Sequence, residues 1–331
     1  MKNFYANKTI LVTGGAGSIG SALVRKLLEF NPKRIRVLDI NETGLFNLEQ
    51  ELSSGLVAFL VGDIRDKERL TRAMENVDIV FHAAALKHVP LCETNPFEAV
   101  QTNVLGTKNL LEAALAEEVE KFITISTDKA VNPINVLGAS KLLAERLTVS
   151  ANLYKGGRKT IFSCVRFGNV LNSQGSVVPI FKSQVKKGGP VTVTDEGMNR
   201  FIMSIDRAVN LVLKAGHIAK GGEIFILKMQ ALLIKDLALA VVEETASKYG
   251  HDPKKIKVEF IGKRNGERMY EELMNEDESE IVCEEEDMFI LSSFNGKNKN
   301  CKNGLKIYKS SDDKFMSVKE IRELLKTEPN Q

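Results

Sequence analysis

Six short apolar runs in the first half of the chain alternate with helical patterns, and this alternation restricts the fold more than any other feature. The runs are rich in β-branched residues and occupy 8–13, 34–39, 57–63, 78–83, 121–126 and 160–167. Nearly continuous apolar character is typical of strands buried on both faces of a parallel sheet. With helical segments between them, they predict βαβ units and an α/β fold with a doubly wound parallel sheet.

A glycine-rich loop, TGGAGSIG, follows the first predicted strand and begins the first helix. Gly14, Gly17 and Gly20 have the spacing G-x-x-G-x-x-G. Such glycines allow a tight turn and bring backbone N–H groups close to a pyrophosphate. Within a complete βαβ frame the loop, including Ser18 and Ile19, predicts a dinucleotide site and a Rossmann-like fold.

Residues at the ends of later strands predict which dinucleotide binds. Asp39 ends the second strand about 20 residues after the glycine loop, where a carboxylate binds ribose hydroxyls and repels a 2′-phosphate. This favours NAD over NADP. We expect Asp63 and Ile64, after the third strand, to lie at the adenine. Small residues after the fourth strand, Ala83, Ala84 and Ala85, leave room beside the cofactor.

The strand–helix alternation weakens after about residue 170. We expect residues 1–170 to form an NAD-binding core, to which 203–228 return as a helix and a strand. Residues 171–202 and 229–331 are expected to form a smaller C-terminal α+β substrate lobe. The acidic run NEDESEIVCEEED, residues 275–287, is expected to be an exposed loop or a solvated face.

Composition argues against several classes of function. The chain has 46 basic and 43 acidic residues, a balance that does not indicate a nucleic-acid partner or an anionic membrane. No apolar run is long enough to span a membrane, and the N terminus enters a strand without a signal peptide. The cysteines, Cys92, Cys164, Cys283 and Cys301, lack the spacing of a zinc site or a disulfide framework. We therefore expect a cytoplasmic protein without a bound metal.

The segment STDKAVNPINVLGASK, residues 126–141, follows the fifth strand at the sheet edge where doubly wound folds bind ligands. Thr127, Asp128 and Lys129 offer a hydroxyl, a carboxyl and an amine at this edge. Lys141 lies one helical turn beyond Leu137, a position that carries an acid/base tyrosine in many NAD-linked dehydrogenases. Leucine cannot transfer a proton. Either the chain binds a cofactor without catalysis, or the acid/base work lies elsewhere, with 127–129 the first candidate.

Several motifs together resemble the extended short-chain dehydrogenases/reductases, and more narrowly the nucleotide-sugar 4,6-dehydratases of polysaccharide biosynthesis that act on UDP-N-acetylglucosamine. They run along most of the chain in the family's order: TGGAGSIGS (13–21), AAALKHVPLCE (83–93), TNVLGTKN (102–109), ISTDKAVNPINVLGASK (125–141), VRFGNVL (165–171), GGPVTVT (188–194) and GERMYEEL (266–273). STDKAVNP and KHVP are far more specific than the glycine loop. Leu137 groups the chain with the members that lack the tyrosine.

The resemblance implies a role for each residue of the catalytic segment. Lys129 would remove the C5 proton of the sugar, Asp128 would protonate the departing C6 hydroxyl, and Thr127 would hydrogen-bond O4. Because a desolvated lysine beside the positive nicotinamide has a lowered pKa, Lys129 is expected to act as a base. Lys141 would bind the nicotinamide ribose. The group that takes the C4 hydroxyl proton stays open between Thr127 relaying to Asp128 and a water held by Lys141.

The resemblance also implies a set of residues that bind the UDP-sugar: Lys87, His88, Asn169, Ser176, Val177, Arg200, Arg264 and Glu267. A guanidinium suits a diphosphate, and a glutamate accepts hydrogen bonds from ribose hydroxyls. Arg200 and Arg264 alternatively form salt bridges at the surface of the lobe. His88 is as well suited to a structural hydrogen bond as to catalysis.

Two other functions compete with NAD-dependent dehydration. A nucleotide-sugar 4-epimerase uses the same hydride removal, but normally depends on the tyrosine that Leu137 replaces. A non-catalytic NAD-binding regulator is favoured by Leu137 alone and opposed by the intact 127–129 segment. For either function, the apolar stripes of helices 96–118 and 135–155 predict a homodimer or higher oligomer.

Overall fold

The computed structural model describes residues 1–264, 266–292 and 307–327. Its strands are β1 (Thr9–Thr13), β2 (Arg34–Asp39), β3 (Val57–Val61), β4 (Ile79–His82), β5 (Lys121–Thr127), β6 (Ile161–Phe167), β7 (Asn169–Val170), β8 (Val191–Val193), β9 (Asn199–Met203), β10 (Glu223–Leu227), β11 (Gln230–Leu233), β12 (Val258–Phe260), β13 (Glu272–Met274), β14 (Val282–Glu284), β15 (Met288–Ser292) and β16 (Tyr308–Lys309).

The α-helices are α1 (Lys2–Tyr5), α2 (Ser18–Leu28), α3 (Glu42–Leu52), α4 (Lys67–Met74), α5 (Val89–Thr94), α6 (Pro96–Ala99), α7 (Thr107–Ala116), α8 (Val136–Tyr154), α9 (Val177–Lys186), α10 (Ile205–Ile218), α11 (Ile234–Thr245), α12 (Glu276–Ser279) and α13 (Val318–Thr327). A π-helical turn occupies Val100–Gly106, and 3₁₀ turns occupy Asp128–Ala130, Ala246–Tyr249 and Pro253–Lys255.

Nine strands form the main sheet, in the order β14-β15-β10-β6-β5-β4-β1-β2-β3. From β3 to β10 neighbouring strands are parallel. The six strands predicted from apolar runs are confirmed to within two residues at either end. The α/β class and the Rossmann-like parallel sheet are thereby confirmed. The strand order reverses between β1 and β4, so a crevice is expected where these strands end.

Strand β1 shows how the sequence makes a core on both faces of the sheet. Ile10 and Val12 pack in one apolar cluster with Leu23 of α2, whereas Leu11 packs in another with Leu70 of α4. Successive side chains of a strand point to opposite faces, so a continuously apolar strand needs helices on both. Burying one such side chain contributes about 1.5–3 kcal/mol.

A second apolar cluster lies outside the main sheet. Phe181 of α9, Leu237 of α11 and Ile321 of α13 belong to it. Two small sheets accompany these helices, β11-β9-β7 and β12-β8. Most of these elements come from the ranges expected to form the smaller lobe, and their role in substrate binding stays a prediction.

The last strands of the main sheet depart from the expected division of the chain. β15 pairs antiparallel with β10, and β14 with β15, so part of 229–331 completes the core sheet. The acidic run contains α12 and β14 and is not simply a loop, but most of its carboxylates are exposed, as expected of a solvated face. Its Glu278 is buried and forms an ion pair with the buried Arg166 of β6. The charge of Glu278 suggested exposure to solvent. Its buried partner, Arg166, lies 112 positions away, so the sequence did not reveal the pair.

The predicted continuous helix over 96–118 is interrupted by the π-helical turn. Within that turn, Asn103 accepts a hydrogen bond from Leu86 N at 2.8 Å and donates to Leu86 O at 3.0 Å and Ser140 Oγ at 2.9 Å. The interruption thus lets one buried amide join the segment after β4 to α8.

The cysteines only partly follow expectation. Cys92 and Cys164 are buried free thiols, whereas Cys283 is disulfide-bonded. The absence of a spacing motif therefore did not exclude a disulfide bond at Cys283. Cys301 lies outside the described residues. Within the described ranges, no group of three or more His, Cys, Asp or Glu is arranged to hold a metal, and no helix is long and apolar enough to cross a membrane.

Candidate active site

The glycine loop after β1 packs directly on the residues that follow β4. Gly14 has a φ of +67°, and a Cβ there would lie 2.5 Å from Ala84 N. A Cβ on Gly20 would collide with the carbonyl of Gly14. Gly17 precedes α2, which starts at Ser18. The loop is therefore a side-chain-free cradle at a helix N terminus, which fits the pyrophosphate of a dinucleotide.

Asp39 at the end of β2 is held beside this cradle. Its Oδ2 accepts a hydrogen bond from Ala16 N at 3.0 Å, and its Oδ1 accepts one from Asn41 N at 2.9 Å. The carboxylate thus lies next to the loop, where the ribose of a bound dinucleotide is expected. These residues fit NAD.

Asp63 and Ile64, expected at the adenine, have partners within the protein. Partial burial raises the pKa of the Asp63 carboxyl, but hydrogen bonds from Arg65 outweigh burial and bring the pKa below its ordinary value. Ile64 is buried beneath the π-helical turn, where a Cβ on Gly106 would lie 2.7 Å from its Cδ1. Contact between these side chains and adenine stays a prediction.

The catalytic segment begins where β5 ends. Thr127 Oγ1 and Lys129 Nζ each donate a hydrogen bond to Asp128 Oδ1 at 2.9 Å. The Asp128 side chain is fully buried, and its Oδ2 has no hydrogen-bond partner among the described residues. A Cβ on Gly168 would lie 2.9 Å from this oxygen. The structure thus brings the hydroxyl, carboxyl and amine into one hydrogen-bonded group.

Lys129 contradicts the expectation of a lowered pKa. Its Nζ lies 2.9 Å from Asp128 Oδ1 and 3.4 Å from Glu271 Oε1. Burial lowers the pKa of Lys129, but the two carboxylates outweigh it and raise the pKa above its ordinary value. The expectation was wrong because Glu271 reaches the site from a distant part of the chain.

Lys141 and Leu137 both lie on α8 but in different surroundings. Lys141 Nζ donates to Ile125 O at 2.7 Å, and burial lowers the pKa of Lys141. Leu137 is buried in an apolar cluster with Cys92 and Ala99. The usual tyrosine position therefore carries no titratable group.

A cavity of about 270 Å³ opens beside Lys129. Its lining contains seven of the eight residues expected to bind the UDP-sugar: Lys87, His88, Asn169, Val177, Arg200, Arg264 and Glu267. The eighth, Ser176, lies between two residues of the lining and precedes α9. The structure therefore gathers residues from across the chain around one cavity.

Unpaired buried polar atoms concentrate at this cavity. Among the described residues they are Ser126 Oγ, Asp128 Oδ2, Thr160 Oγ1, Asn169 Oδ1, Ser176 Oγ and Glu271 Oε2. Leaving such an atom unpaired costs about 1–3 kcal/mol. Asn169 and Glu271 line the cavity, and Asp128 and Ser176 each adjoin a lining residue. This concentration is typical of a site whose polar partners come from a ligand.

The cavity and the glycine loop are joined through Gln174. Its N–H donates to Ser18 Oγ at 2.8 Å, and its carbonyl accepts from Lys87 Nζ at 2.5 Å. The His88 ring packs on Gly175, where a Cβ would lie 2.5 Å from Cε1. Burial lowers the pKa values of both Lys87 and His88.

The two arginines at the cavity differ in how their donors are used. Arg200 donates to Asn199 O at 2.6 Å and Arg268 O at 2.8 Å, and its Nε lies 3.6 Å from Glu271 Oε1. Arg200 thus forms a buried ion pair with Glu271, whereas the alternative to a diphosphate contact was a salt bridge at the lobe surface. The Arg264 guanidinium has no side-chain partner among the described residues, and its backbone N–H donates to Glu267 Oε2 at 3.1 Å.

Sequence reasoning missed Glu271, Gly168 and Gln174. Glu271 lies in the motif GERMYEEL, of which only Glu267 was assigned a role. A second carboxylate could have been expected, because Lys129 and Arg200 together carry more positive charge than Asp128 alone can balance. Nothing in the sequence marked Gly168 or Gln174, since their roles depend on backbone contacts.

Comparison with known proteins identifies the family. A model described as a polysaccharide biosynthesis protein matches residues 10–293. The chain belongs to this family of polysaccharide biosynthesis proteins. An uncharacterized membrane protein of Methanocaldococcus jannaschii is 64% identical over 326 residues, covering 98% of this chain and 97% of that protein.

Two further relatives are named as enzymes of nucleotide-sugar metabolism. The inverting UDP-N-acetylglucosamine 4,6-dehydratase of Campylobacter jejuni is 39% identical over 290 residues, covering 87% of this chain and 84% of that enzyme. A UDP-glucose 4-epimerase of Rickettsia typhi is 38% identical, covering 98% of this chain and 96% of that enzyme.

Solved structures agree with this placement. Pen from Bacillus thuringiensis superposes with a TM-score of 0.93 at 44% identity, covering 99% of this chain and all (100%) of that one. DesIV is a dTDP-glucose 4,6-dehydratase from Streptomyces venezuelae with NAD and TYD bound. It superposes with a TM-score of 0.71 at 25% identity, covering 79% of this chain and 86% of that one. This polysaccharide biosynthesis protein is thus an enzyme of the nucleotide-sugar dehydratase and epimerase group.

Proposed function

We propose that the protein is an NAD-dependent 4,6-dehydratase that converts UDP-N-acetylglucosamine to the UDP-4-keto-6-deoxy sugar. The observation that supports this most is the hydrogen-bonded Thr127–Asp128–Lys129 group beside the cavity, with its buried Asp128, combined with an apolar residue at position 137. A dehydratase needs an acid and a base at C6 and C5, whereas an epimerase needs neither.

The residues of the cradle would hold NAD. Backbone N–H groups at the start of α2 would bind the pyrophosphate, and Asp39 would bind the adenosine ribose. The Lys141 ammonium, near the end of β5, would bind the nicotinamide ribose. When bound, NAD⁺ supplies a hydride acceptor for C4 and returns the hydride to C6.

The UDP moiety would lie at the start of α9. Val177 begins this ten-residue helix, and the positive end of the helix favours a diphosphate. The Ser176 N–H donates to Ser173 O at 2.9 Å, but its buried Oγ is unpaired and would donate to the diphosphate. The Arg264 guanidinium would add charge-assisted hydrogen bonds. Glu267 would accept hydrogen bonds from the uridine ribose, and Asn169 Oδ1, unpaired and buried, would accept one from the sugar.

The catalytic segment would then move protons in a fixed order. As C4 is oxidised, Thr127 passes the hydroxyl proton to Asp128 across their 2.9 Å hydrogen bond. The C4 ketone acidifies the C5 proton, which Lys129 removes in its amine form. Asp128, now a carboxylic acid, protonates the departing C6 hydroxyl, and water leaves. Lys129 finally returns a proton to C5.

The test is incubation of the purified protein with UDP-N-acetylglucosamine in D₂O, followed by NMR and mass spectrometry. A UDP-4-keto-6-deoxy product with deuterium at C5 is the expected result. UDP-N-acetylgalactosamine would instead establish the epimerase, and bound NAD without any conversion would indicate another sugar or a regulator. The cytoplasmic location and the absence of a nucleic-acid partner stay predictions.

A further inference from the structure

Glu271 is a buried carboxylate that no part of the proposed proton path uses. It precedes β13 and lines the cavity, and Oε1 lies 3.4 Å from Lys129 Nζ and 3.6 Å from Arg200 Nε. Its Oε2 is buried without a hydrogen-bond partner. Burying a carboxylate with one oxygen unpaired costs free energy of folding.

The proposed dehydration leaves one proton without a destination. Lys129 carries an ammonium whose pKa is raised by Asp128 and Glu271 against the effect of burial. It must lose this proton before it can accept the one from C5. Asp128 cannot take it, because Asp128 has by then received the C4 hydroxyl proton through Thr127.

We infer that Glu271 is a positioning residue that takes the Lys129 proton and holds it while the amine acts on C5. This inference rests on the proposed function. The Lys129 N–H bond breaks and a Glu271 O–H bond forms; the amine then gains the C5 proton. When the Lys129 ammonium returns one of its three hydrogens to C5, Glu271 returns its proton to Lys129, so atoms and charges balance over one turnover.

The surroundings of Glu271 suit this exchange. Burial raises the pKa of Glu271, and the neighbouring Asp128 raises it further, while Lys129, Arg200 and Arg268 lower it. The net pKa is above the ordinary value. The carboxyl therefore accepts a proton more readily than an exposed glutamate, and the groups that face the pair are these same charged residues.

The main variant is Glu271→Gln, with Glu272→Gln as the matched control. Glu272 is the next residue, but its carboxylate pairs with Asn132 and Lys309 instead. We expect Glu271→Gln to lower kcat at pH 7 by about 100-fold. Its activity should then rise about tenfold per pH unit as solvent removes the Lys129 proton, and Glu271→Asp should restore part of the loss. Activity within threefold of wild type at pH 7, or an equal loss at every pH, would overturn the inference.

A second readout needs no substrate. Acetylation of Lys129 by acetic anhydride, followed by mass spectrometry, reports the amine fraction, with the exposed Lys33 as an internal reference. Removing the Glu271 charge should lower the pKa of Lys129 and speed its acetylation about tenfold at pH 8. Most Lys129 side chains should still be ammonium ions, and in the variant their proton has no acceptor in the site during turnover. An unchanged rate would overturn the inference. If the wild type acetylates as expected yet performs no dehydration, the proposed function fails and the charge coupling stands.

Should Glu271→Gln not fold, Lys129→Met tests the same coupling from the other side. Lys129 lowers the pKa of Glu271, so its removal should raise that pKa. Carbon-13 NMR of glutamate-labelled protein measures the change directly. An identical Glu271 pKa in wild type and variant would contradict the coupling.

Discussion

Lys129 donates a 2.9 Å hydrogen bond to one oxygen of Asp128, while the other oxygen of that buried carboxylate is unpaired. We predict that Asp128→Asn lowers kcat by about 10²- to 10⁴-fold, because the amide cannot protonate the C6 hydroxyl. NAD affinity should be unchanged in a fluorescence titration. Asp287→Asn, which removes a half-exposed partner of Lys214, is the matched control and should retain activity. Equal losses in both variants would contradict the role of Asp128.

The glycine loop offers a sharp test of the cofactor cradle. Gly14→Ala should destabilise the fold by about 1–3 kcal/mol, since Gly14 has a φ of +67° and its Cβ would meet Ala84 N. NAD binding should weaken at least tenfold, or about 1.4 kcal/mol, by calorimetry. The control is Gly55→Ala, where a Cβ meets nothing within 4 Å. Tight NAD binding by Gly14→Ala would rule out the cradle.

Cofactor choice should depend on the charge of Asp39. Asp39→Asn keeps a hydrogen-bond acceptor for Ala16 N but removes the repulsion of a 2′-phosphate. We expect the affinity ratio of NAD to NADP to fall about tenfold, which is about 1.4 kcal/mol. Titrations with both dinucleotides measure it. Asp66→Asn, at the exposed N-cap of α4, should leave the ratio unchanged; a wild type that prefers NADP would refute the assignment.

The ion pair between Glu278 and Arg166 predicts a pH-dependent stability. Glu278→Ala leaves a buried guanidinium with one partner fewer and should lower the free energy of unfolding by about 3–5 kcal/mol in urea. The exposed Glu276→Ala on the same helix should cost less than about 0.5 kcal/mol.

The sign of the pH effect follows from the direction of the Glu278 pKa. Burial raises this pKa, but the opposing effect of Arg166 is larger, so the pKa lies below the ordinary 4.5. The stabilisation is therefore present above pH 4.5 and lost as the pH falls through the lower, folded value. The free energies of unfolding of Glu278→Ala and Glu276→Ala should therefore converge in acid. A difference that widens there would contradict the ion pair.

The predicted oligomer can be tested on the helices α5, α6 and α8. Leu91, Phe97, Leu143 and Leu153 are more than half exposed on them, with Phe97 84% exposed. We expect wild type to be at least a dimer by light scattering and Phe97→Asp to shift towards monomer. Phe46→Asp on α3, also an exposed phenylalanine, is the control. A monomeric wild type would remove the prediction.

The sequence was a good guide wherever function or structure depends on local pattern. Apolar runs located the six strands, and the glycine spacing located the cradle with Asp39 beside it. Long-range charge was not predictable. Neither the Glu271–Lys129 pair nor the Glu278–Arg166 pair has a local pattern, because each joins residues over a hundred positions apart. For that reason neither the raised pKa of Lys129 nor the burial of Glu278 within the acidic run was predicted.

The backbone of Gln174 has a consequence for the order of events. One peptide segment is tied to Ser18 at the start of α2 and to Lys87 beside the cavity. The glycine loop and the cavity therefore share one backbone segment. A cofactor that is regenerated within each turnover need never leave, so it would serve as a permanent part of the sugar's binding surface. Substrate would then bind and product would leave while the cofactor stays in place.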